Sequence, residues 1–303
     1  MTPQLIQEFL RGEELPSTYG ADVLTWFLPA AEELLLLMTS NQNNPMFIGI
    51  NGAQGTGKST LAKLFKLCCT EAGLKVAVLS IDDFYLSKHA RAQLAETVHP
   101  LLATRGVPGT HDVEQLKSCL NQLLDSQAGT VKIPRFDKAA DNPAPEDHWA
   151  TVTLPVDLII LEGWFIGLEP EPCEHLVSPV NHLEATEDGD GSWRNFVNNS
   201  LRSDFADLFG RLDSLLMLQA PSFEQVYAWR SLQEEKLKRH REARVDADMS
   251  GVMGPAEIAR FIQHFERLTR HALITLPGKA DWVFHLDSQH RVAGKTCIKS
   301  EGQ

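Results

Sequence analysis

The sequence predicts an α/β domain built on a parallel β-sheet. Three observations predict it: five short apolar runs, the segments of helical character between them, and a glycine-rich bend that follows the first run directly. The runs are Met46–Asn51, Val76–Ile81, Val156–Leu161, Leu215–Leu218 and Trp282–Leu286. The first is a short continuous apolar run and the others are mainly apolar, β-branched in part, rather than alternating, the form a strand takes when helices cover both faces of its sheet.

In chain order, residues 1–43 read as helical, with Phe9, Leu10, Leu24, Phe27 and Leu34 to Leu37 supplying an apolar face. The polar cluster Asn41-Gln42-Asn43-Asn44-Pro45 ends them. It divides an N-terminal helical segment, 1–44, packed on the core, from a main domain, 45–303. The first strand leads through the glycine-rich bend into a helical run, Thr60–Cys69, and on to the second strand. Residues 84–150 then form a polar, proline-rich insertion with helix-like content around Val113–Leu124. A connection that long inside a compact domain is usually functional. Glu184 to Gly191 reads as an acidic surface loop that solvates the chain. Ser222-Phe223-Glu224-Gln225 has the spacing of a capping box, so a helix should start there and run through Trp229 and Arg230.

Composition narrows the function. The chain of 303 residues is long enough for a substantial core, and at 43% hydrophobic it is not mostly disordered. With 28 Lys+Arg against 40 Asp+Glu and a net charge of −12, it is not expected to bind nucleic acid through overall charge. Val23 to Met38 is interrupted by Pro29, Glu32 and Glu33, so no run of about 20 apolar residues is expected to span a bilayer. The start, Met-Thr-Pro-Gln-Leu-Ile-Gln-Glu, lacks the basic and apolar parts of an export signal. Cys68, Cys69, Cys119, Cys173 and Cys297 form no CxxC pair and read as structural thiols of a reducing, cytoplasmic protein. His240, His264, His271 and His285 are not spaced like a zinc site. No membrane or protein partner is expected, only a small-molecule substrate.

The bend itself, Gly52-Ala53-Gln54-Gly55-Thr56-Gly57-Lys58-Ser59 followed by Thr60, fits G-x-x-x-x-G-K-[ST] between a strand and a helix. Glycines let the backbone turn tightly and present its N–H groups to phosphate oxygens. The helix starting near Lys58 adds its positive N-terminal end. Lys58 would reach the β- and γ-phosphates of ATP, and the Ser59 hydroxyl would hold Mg²⁺.

Ligands of doubly wound sheets sit beyond the carboxyl ends of the strands, where acidic residues follow two of the apolar runs. The second run ends in Asp82-Asp83 and the third in Glu162. An alcohol acceptor in phosphoryl transfer must lose its proton, for which Asp82 is the first choice and Asp83 the alternative. Glu162 is placed to orient Mg²⁺ through its water shell.

Five further blocks carry a resemblance. They are Ser80-Ile81-Asp82-Asp83-Phe84-Tyr85, Arg105-Gly106-Val107-Pro108-Gly109-Thr110-His111-Asp112, Ile133-Pro134-Arg135-Phe136-Asp137-Lys138, Glu162-Gly163-Trp164, and Gln219-Ala220-Pro221 with Trp229-Arg230. In order, from about residue 45 to the end, the chain resembles the D-glycerate 3-kinase family of P-loop kinases, relatives of phosphoribulokinase, uridine kinase and pantothenate kinase. The resemblance implies an ATP- and Mg²⁺-dependent kinase of a small hydroxylated metabolite. It also implies a P-loop NTPase fold, a doubly wound sheet of five parallel strands in the order 2-3-1-4-5, with helical insertions and a lid. It supports Asp82 as base and assigns substrate contacts to Arg105, His111, Asp112, Arg135, Asp137 and Lys138. One departure is that Ala139 to Asp147 lacks the arginine that family members usually carry after the Asp-Lys pair.

A glycerate-like acceptor brings a carboxylate, for which Arg105, His111, Arg135 and Lys138 would be charge-assisted donors. A nucleoside would instead want stacking on Phe84, Tyr85, Phe136 or Trp149. Lys236, Lys238, Arg239, Arg241 and Arg244 read in two ways. They form a solvated helix face with Glu234 and Glu235 paired at i,i+4, or a lid over about 230–254 whose Arg239, Arg241 and Arg244 close on the phosphate. The function expected is ATP-dependent phosphorylation of a hydroxyl of D-glycerate or a related hydroxy acid. The alternatives are a kinase of a nucleoside or pantothenate-like alcohol, and a nucleotide-dependent switch with weak ATPase.

Overall fold

The computed structural model describes residues 1–40, 45–125, 127–242 and 254–298, with the backbone alone for 233–242. The apolar runs become β1 (Met46–Gly52), β2 (Val76–Ser80), β3 (Leu158–Gly163), β4 (Ser214–Gln219) and β5 (Trp282–Leu286), all parallel, in the order β2-β3-β1-β4-β5. A sixth strand, β6 (Val292–Cys297), adds antiparallel to β5 at the edge. Its half-exposed residues, Lys295 and a register shift near Gly294 suit an edge strand, and they hide it from a search for continuous apolar runs.

Every residue of β1 and β3 is buried. Successive β1 residues feed opposite faces. Phe47 joins Leu79, Leu161 and Met217 in one core, and Ile48 joins Ile160, Leu216 and Phe284 in the other. The register also aligns the functional edge: Glu162 pairs with Ile50 on one side and Ser80 on the other, so the ends of β1, β2 and β3 lie side by side.

The helices are α1 (Pro3–Gly12), α2 (Ser17–Asp22), α3 (Leu28–Ser40), α4 (Lys58–Glu71), α5 (Lys88–Thr97), α6 (Val113–Asp125), α7 (His182–Glu187), α8 (Ser192–Ser200), α9 (Ala206–Gly210), α10 (Phe223–Glu242) and α11 (Pro255–Thr275). Within the insertion, 130–133 pairs with 150–153 and 136–137 with 142–143.

Three expectations need correction. A π-helical turn at Val23–Phe27 joins α2 to α3, giving a 24-residue helix, Ser17–Ser40, that is long and apolar enough to cross a membrane. Pro29 does not interrupt it. Val23, Phe27, Ala30 and Leu34 of this helix are buried in the second core. Asp22 pairs with Arg291 at 2.7 Å, and Glu33 accepts from Lys295 at 2.7 Å and Trp282 at 2.8 Å.

Second, the run from Glu184 to Gly191 is not a solvating loop. Glu184 and Asp188 are both 0% exposed. Arg267 donates to both Glu184 oxygens at 2.8 and 2.7 Å, and Arg194 donates to Asp188 Oδ2 at 2.8 Å. Arg267 arrives from α11, 83 residues from Glu184, whereas Arg194 of α8 lies only six residues from Asp188. Third, Cys68, Cys69 and Cys119 are buried as expected of structural thiols, but Cys173 and Cys297 are exposed, and all five are free.

Candidate active site

The bend after β1 turns through Gly55 and Gly57, at φ +83° and +89°, in the left-handed region that favours glycine. A Cβ at Gly52 would collide with Thr56 Oγ1, which instead donates to the Ala53 carbonyl at 2.8 Å. Gly57 caps α4, so Lys58, Ser59 and Thr60 form its first turn and the positive helix end faces the bend.

Ser59 Oγ donates to Glu162 Oε1 at 2.8 Å. Glu162 is 3% exposed, and its Oε2 has no hydrogen-bond partner among the described residues. A buried carboxylate oxygen left open beside a serine hydroxyl is a hard-oxygen pair that fits Mg²⁺, which takes few direct protein ligands. Among the described residues no cluster of three or more His, Cys, Asp or Glu forms an all-protein metal cage.

Asp82 lies in the one-turn 3₁₀ helix that follows β2. Tyr85 Oη donates to its Oδ1 at 2.7 Å and Lys138 Nζ to its Oδ2 at 2.9 Å. Burial works to raise the Asp82 pKa, but Lys138, Lys58 and the Tyr85 hydroxyl outweigh it and hold the carboxyl well below the usual range. Burial and then the Asp82 charge push the Tyr85 phenol far up, so it remains a donor. These groups open on a cavity of about 140 Å³ whose lining includes Gln54, Lys58, Asp82, Tyr85, Arg105, Lys138, Trp164 and Arg230, with Phe261 and Phe265 from α11. Arg105 also pairs with Asp141 and lies over the Phe136 ring.

Of the other expected site residues, several support the cavity instead of lining it. Asp83 accepts from Arg135 at 2.6 Å and from the Phe136 amide at 3.1 Å, tying the insertion to the end of β2. Arg135 is thereby engaged away from the cavity. Asp112 Oδ1 accepts from the Gln115 amide at 2.9 Å and caps α6. Asp137 is exposed and accepts from the Ala139 and Ala140 amides at 2.9 and 3.0 Å, which hold its carboxyl below its ordinary pKa. His111 is 5% exposed, and burial pushes it down to about 3 against the opposing pull of Asp82 and the Val107 backbone. It is a neutral ring packed on Tyr85 and Phe165, which corrects the expectation of a charged donor.

Of the four rings considered for stacking, only Tyr85 lines the cavity. Phe84 is fully buried, Phe136 packs on Tyr85, and Trp149 donates to Ala144. Arg239 and Arg241 fall on the backbone of α10 with their side chains outside the described residues, and Arg244 lies wholly outside them.

Sequence reasoning missed four lining residues as site residues. Trp164 and Arg230 stood inside two of the quoted blocks. Phe261 and Phe265, spaced i,i+4 on an amphipathic helix, carried no signal separable from core packing.

Comparison with known proteins adds the family. The model of the methylmalonyl-CoA mutase-associated GTPase MeaB family matches residues 25–86, the stretch from the π-helical turn before α3 through the bend to the residues just beyond Asp82. An uncharacterized kinase of Schizosaccharomyces pombe, mug58, is 33% identical over 74% of this chain and 79% of its own length. The chloroplastic D-glycerate 3-kinase of Arabidopsis thaliana is 28% identical over 66% of this chain and 43% of that protein. The solved structure of D-glycerate 3-kinase from Cryptococcus neoformans var. grubii superposes with a TM-score of 0.71 at 23% identity, covering 90% of this chain and 99% of that one, and so shares the fold. With a glycine bend, lysine and serine at the end of β1 and kinases as its relatives, the chain belongs to the D-glycerate 3-kinase-like family of P-loop kinases.

Proposed function

We propose that this kinase transfers the γ-phosphoryl group of ATP to the hydroxyl of a small hydroxy acid, with D-glycerate the first candidate. The observation that carries the reading is one ionised carboxylate, Asp82, set among Lys58, Arg105, Lys138 and Arg230 in a cavity of about 140 Å³. Sites for drug-sized ligands run to roughly 300–1,000 Å³, so the space suits a compact acceptor, and the excess of cations suits an acceptor that is itself an anion. The name of the Arabidopsis relative supports glycerate within that class.

In this reading the amides of 52–60 and Lys58 hold the triphosphate. Arg105 and Arg230 receive the acceptor carboxylate, while Asp82 accepts a hydrogen bond from the acceptor hydroxyl. The hydroxyl oxygen bonds to the γ-phosphorus as the bond to the β,γ-bridging oxygen breaks, ADP leaves, and the hydroxyl proton passes to Asp82 and on to water. Because Asp82 is a weak base, it aims the hydroxyl early and takes the proton late, as a loose transition state permits. Mg²⁺, held through Ser59 and Glu162, would neutralise charge on the β- and γ-phosphates. Trp164, Phe261 and Phe265 exclude water from one wall. The free thiols fit a reducing compartment such as the cytoplasm.

The test is ADP release from Mg·ATP over a panel of hydroxy acids, pantothenate and nucleosides. A three- or four-carbon hydroxy acid should raise the rate at least about tenfold over water alone, in line with the gain expected from a positioned base. Stimulation by a nucleoside or pantothenate alone, or by no acceptor, overturns the reading.

A further inference from the structure

Asp141 lies in the turn of the hairpin formed by 136–137 and 142–143, outside the lining of the Asp82 cavity. Its backbone is left-handed, at φ +54°, a conformation that a residue with a side chain keeps where its surroundings over-determine it. Here the surroundings are Arg91 of α5. That arginine is 1% exposed, and its guanidinium donates to the Leu86, Ala103 and Asp141 carbonyls at 3.1, 3.2 and 3.2 Å. It also pairs with Asp141 Oδ2 at 2.8 Å, so the aspartate is held by its backbone and its side chain at once.

The other carboxylate oxygen, Oδ1, accepts from Arg105 Nη1. Arg105 lines the cavity, and its Cζ lies 5.5 Å from the ring centroid of Phe136, which belongs to the same hairpin. A guanidinium carries five N–H donors in a rigid fork, of which Asp141 engages one nitrogen. Among the described residues the Arg105 side chain makes no other hydrogen bond, so the rest of the fork is left for a carboxylate. Two guanidinium groups against one carboxylate leave this trio with one net positive charge, so Asp141 fixes Arg105 without cancelling its attraction for an anion.

We infer that Asp141 is a positioning residue for the acceptor: anchored by Arg91, it fixes the Arg105 guanidinium so that the remaining donors meet the acceptor carboxylate. The inference rests on the reading of the Asp82 cavity as a hydroxy-acid site. A free arginine would have to be ordered by each arriving acceptor, whereas one already held between Asp141 and Phe136 loses less freedom on binding. Asp141 thereby sets the preference for a carboxylate over a neutral group, while Asp82 acts on the hydroxyl. A neutral acceptor of the same shape gains little from the anchor.

The experiment measures kcat/KM with Mg·ATP for D-glycerate and for its neutral amide, D-glyceramide, in wild type, Asp141→Asn, Arg105→Ala and the double variant. Asparagine tolerates the left-handed backbone and offers one acceptor oxygen, which goes to the more deeply buried Arg91, so the contact with Arg105 is lost. Asp141→Asn should shrink the preference for acid over amide about tenfold, within the range for partners in one ion-pair network, and should have no further effect once Arg105 is alanine. Asp141→Gly, which adopts the same backbone without strain, carries the same expectation and replaces the asparagine variant if that one does not fold. An undiminished preference, acid and amide falling in parallel as a merely structural role would have them, or a further loss of preference in the double variant would each overturn the inference. A wild type that phosphorylates D-glycerate no better than its amide overturns the acceptor reading as well, and that arm alone tells the two failures apart.

Discussion

Lys138 Nζ lies 2.9 Å from Asp82 Oδ2 across a sequence separation of 56 residues, so the far end of the insertion supplies the cation that keeps the candidate base ionised. Asp82→Asn should lower kcat by about 10²–10⁴ with ATP affinity unchanged, the range for losing a positioned acid–base group. Lys138→Met removes a cation that holds the Asp82 pKa down. That pKa therefore rises, and the acid limb of the pH–rate profile should move to higher pH in this variant. An unmoved limb would mean that Asp82 does not set it.

Glu162→Gln keeps the shape of the Ser59 contact and removes the charge. The Mg²⁺ concentration giving half-maximal rate should rise about 10–100-fold, as for other groups that orient a metal. An unchanged Mg²⁺ titration would take Glu162 out of the metal's surroundings.

Arg105 and Arg135 were equivalent as expected acceptor ligands, and the structure separates them. Arg105→Ala should raise the acceptor KM at least about tenfold, since a hydrogen bond to a charged group is worth roughly 1.5–3 kcal/mol. Arg135→Ala breaks a partly exposed pair with Asp83, 41% and 16% exposed, so it should cost at most about 1 kcal/mol of stability and leave that KM within about threefold. The reverse ranking in steady-state kinetics would place the carboxylate elsewhere.

His111 sets a pH dependence of stability. Its folded pKa, about 3, lies below the ordinary value of 6.5, so the folded state binds fewer protons than the unfolded state between those limits. Stability is therefore full above about pH 6.5 and falls as pH drops towards 3, by at most about 1.4 kcal/mol per pH unit for one proton. His264, pushed down to about 4 mainly by burial, adds the same sign. Urea midpoints from pH 7 to 4.5 should fall less steeply for His111→Gln than for wild type; parallel slopes would mean that the ring charges without penalty.

Glu184→Gln removes the nearer of the two carboxylates paired with buried Arg267, leaving only Glu171 at 3.6 Å. A cost of about 3–5 kcal/mol is expected for breaking a buried pair, read as a lower urea midpoint at unchanged m. A loss under about 1 kcal/mol would restore the surface-loop reading of that segment.

Much of this was legible in the chain because it is local. β1, the glycine bend and α4 are contiguous, and each residue there has a backbone reason to be what it is. The strand ends were legible too, since a continuous apolar run followed by an acid announces a buried strand meeting its edge. What was not legible depends on partners brought from afar. Glu184 looks like any surface acid until Arg267 reaches it from α11, and His111 looks like a cation until Tyr85 and Phe165 bury it. The Ser17–Ser40 segment read as helical but not as one helix long and apolar enough to cross a membrane, because Pro29, Glu32 and Glu33 read as interruptions; Pro29 instead sits in the first turn of α3, just after the π turn, and Glu33 finds Lys295.

The most direct measurement follows phosphate from [γ-³²P]ATP into D-glycerate and its hydroxy-acid analogues, comparing wild type with Asp82→Asn at saturating Mg²⁺. Label should appear on a hydroxy acid with wild type and fall by about 10²-fold or more in the variant, while the variant still binds ATP. Label on no hydroxy acid, or equal labelling by both proteins, would contradict the assignment of the Asp82 cavity as the acceptor site.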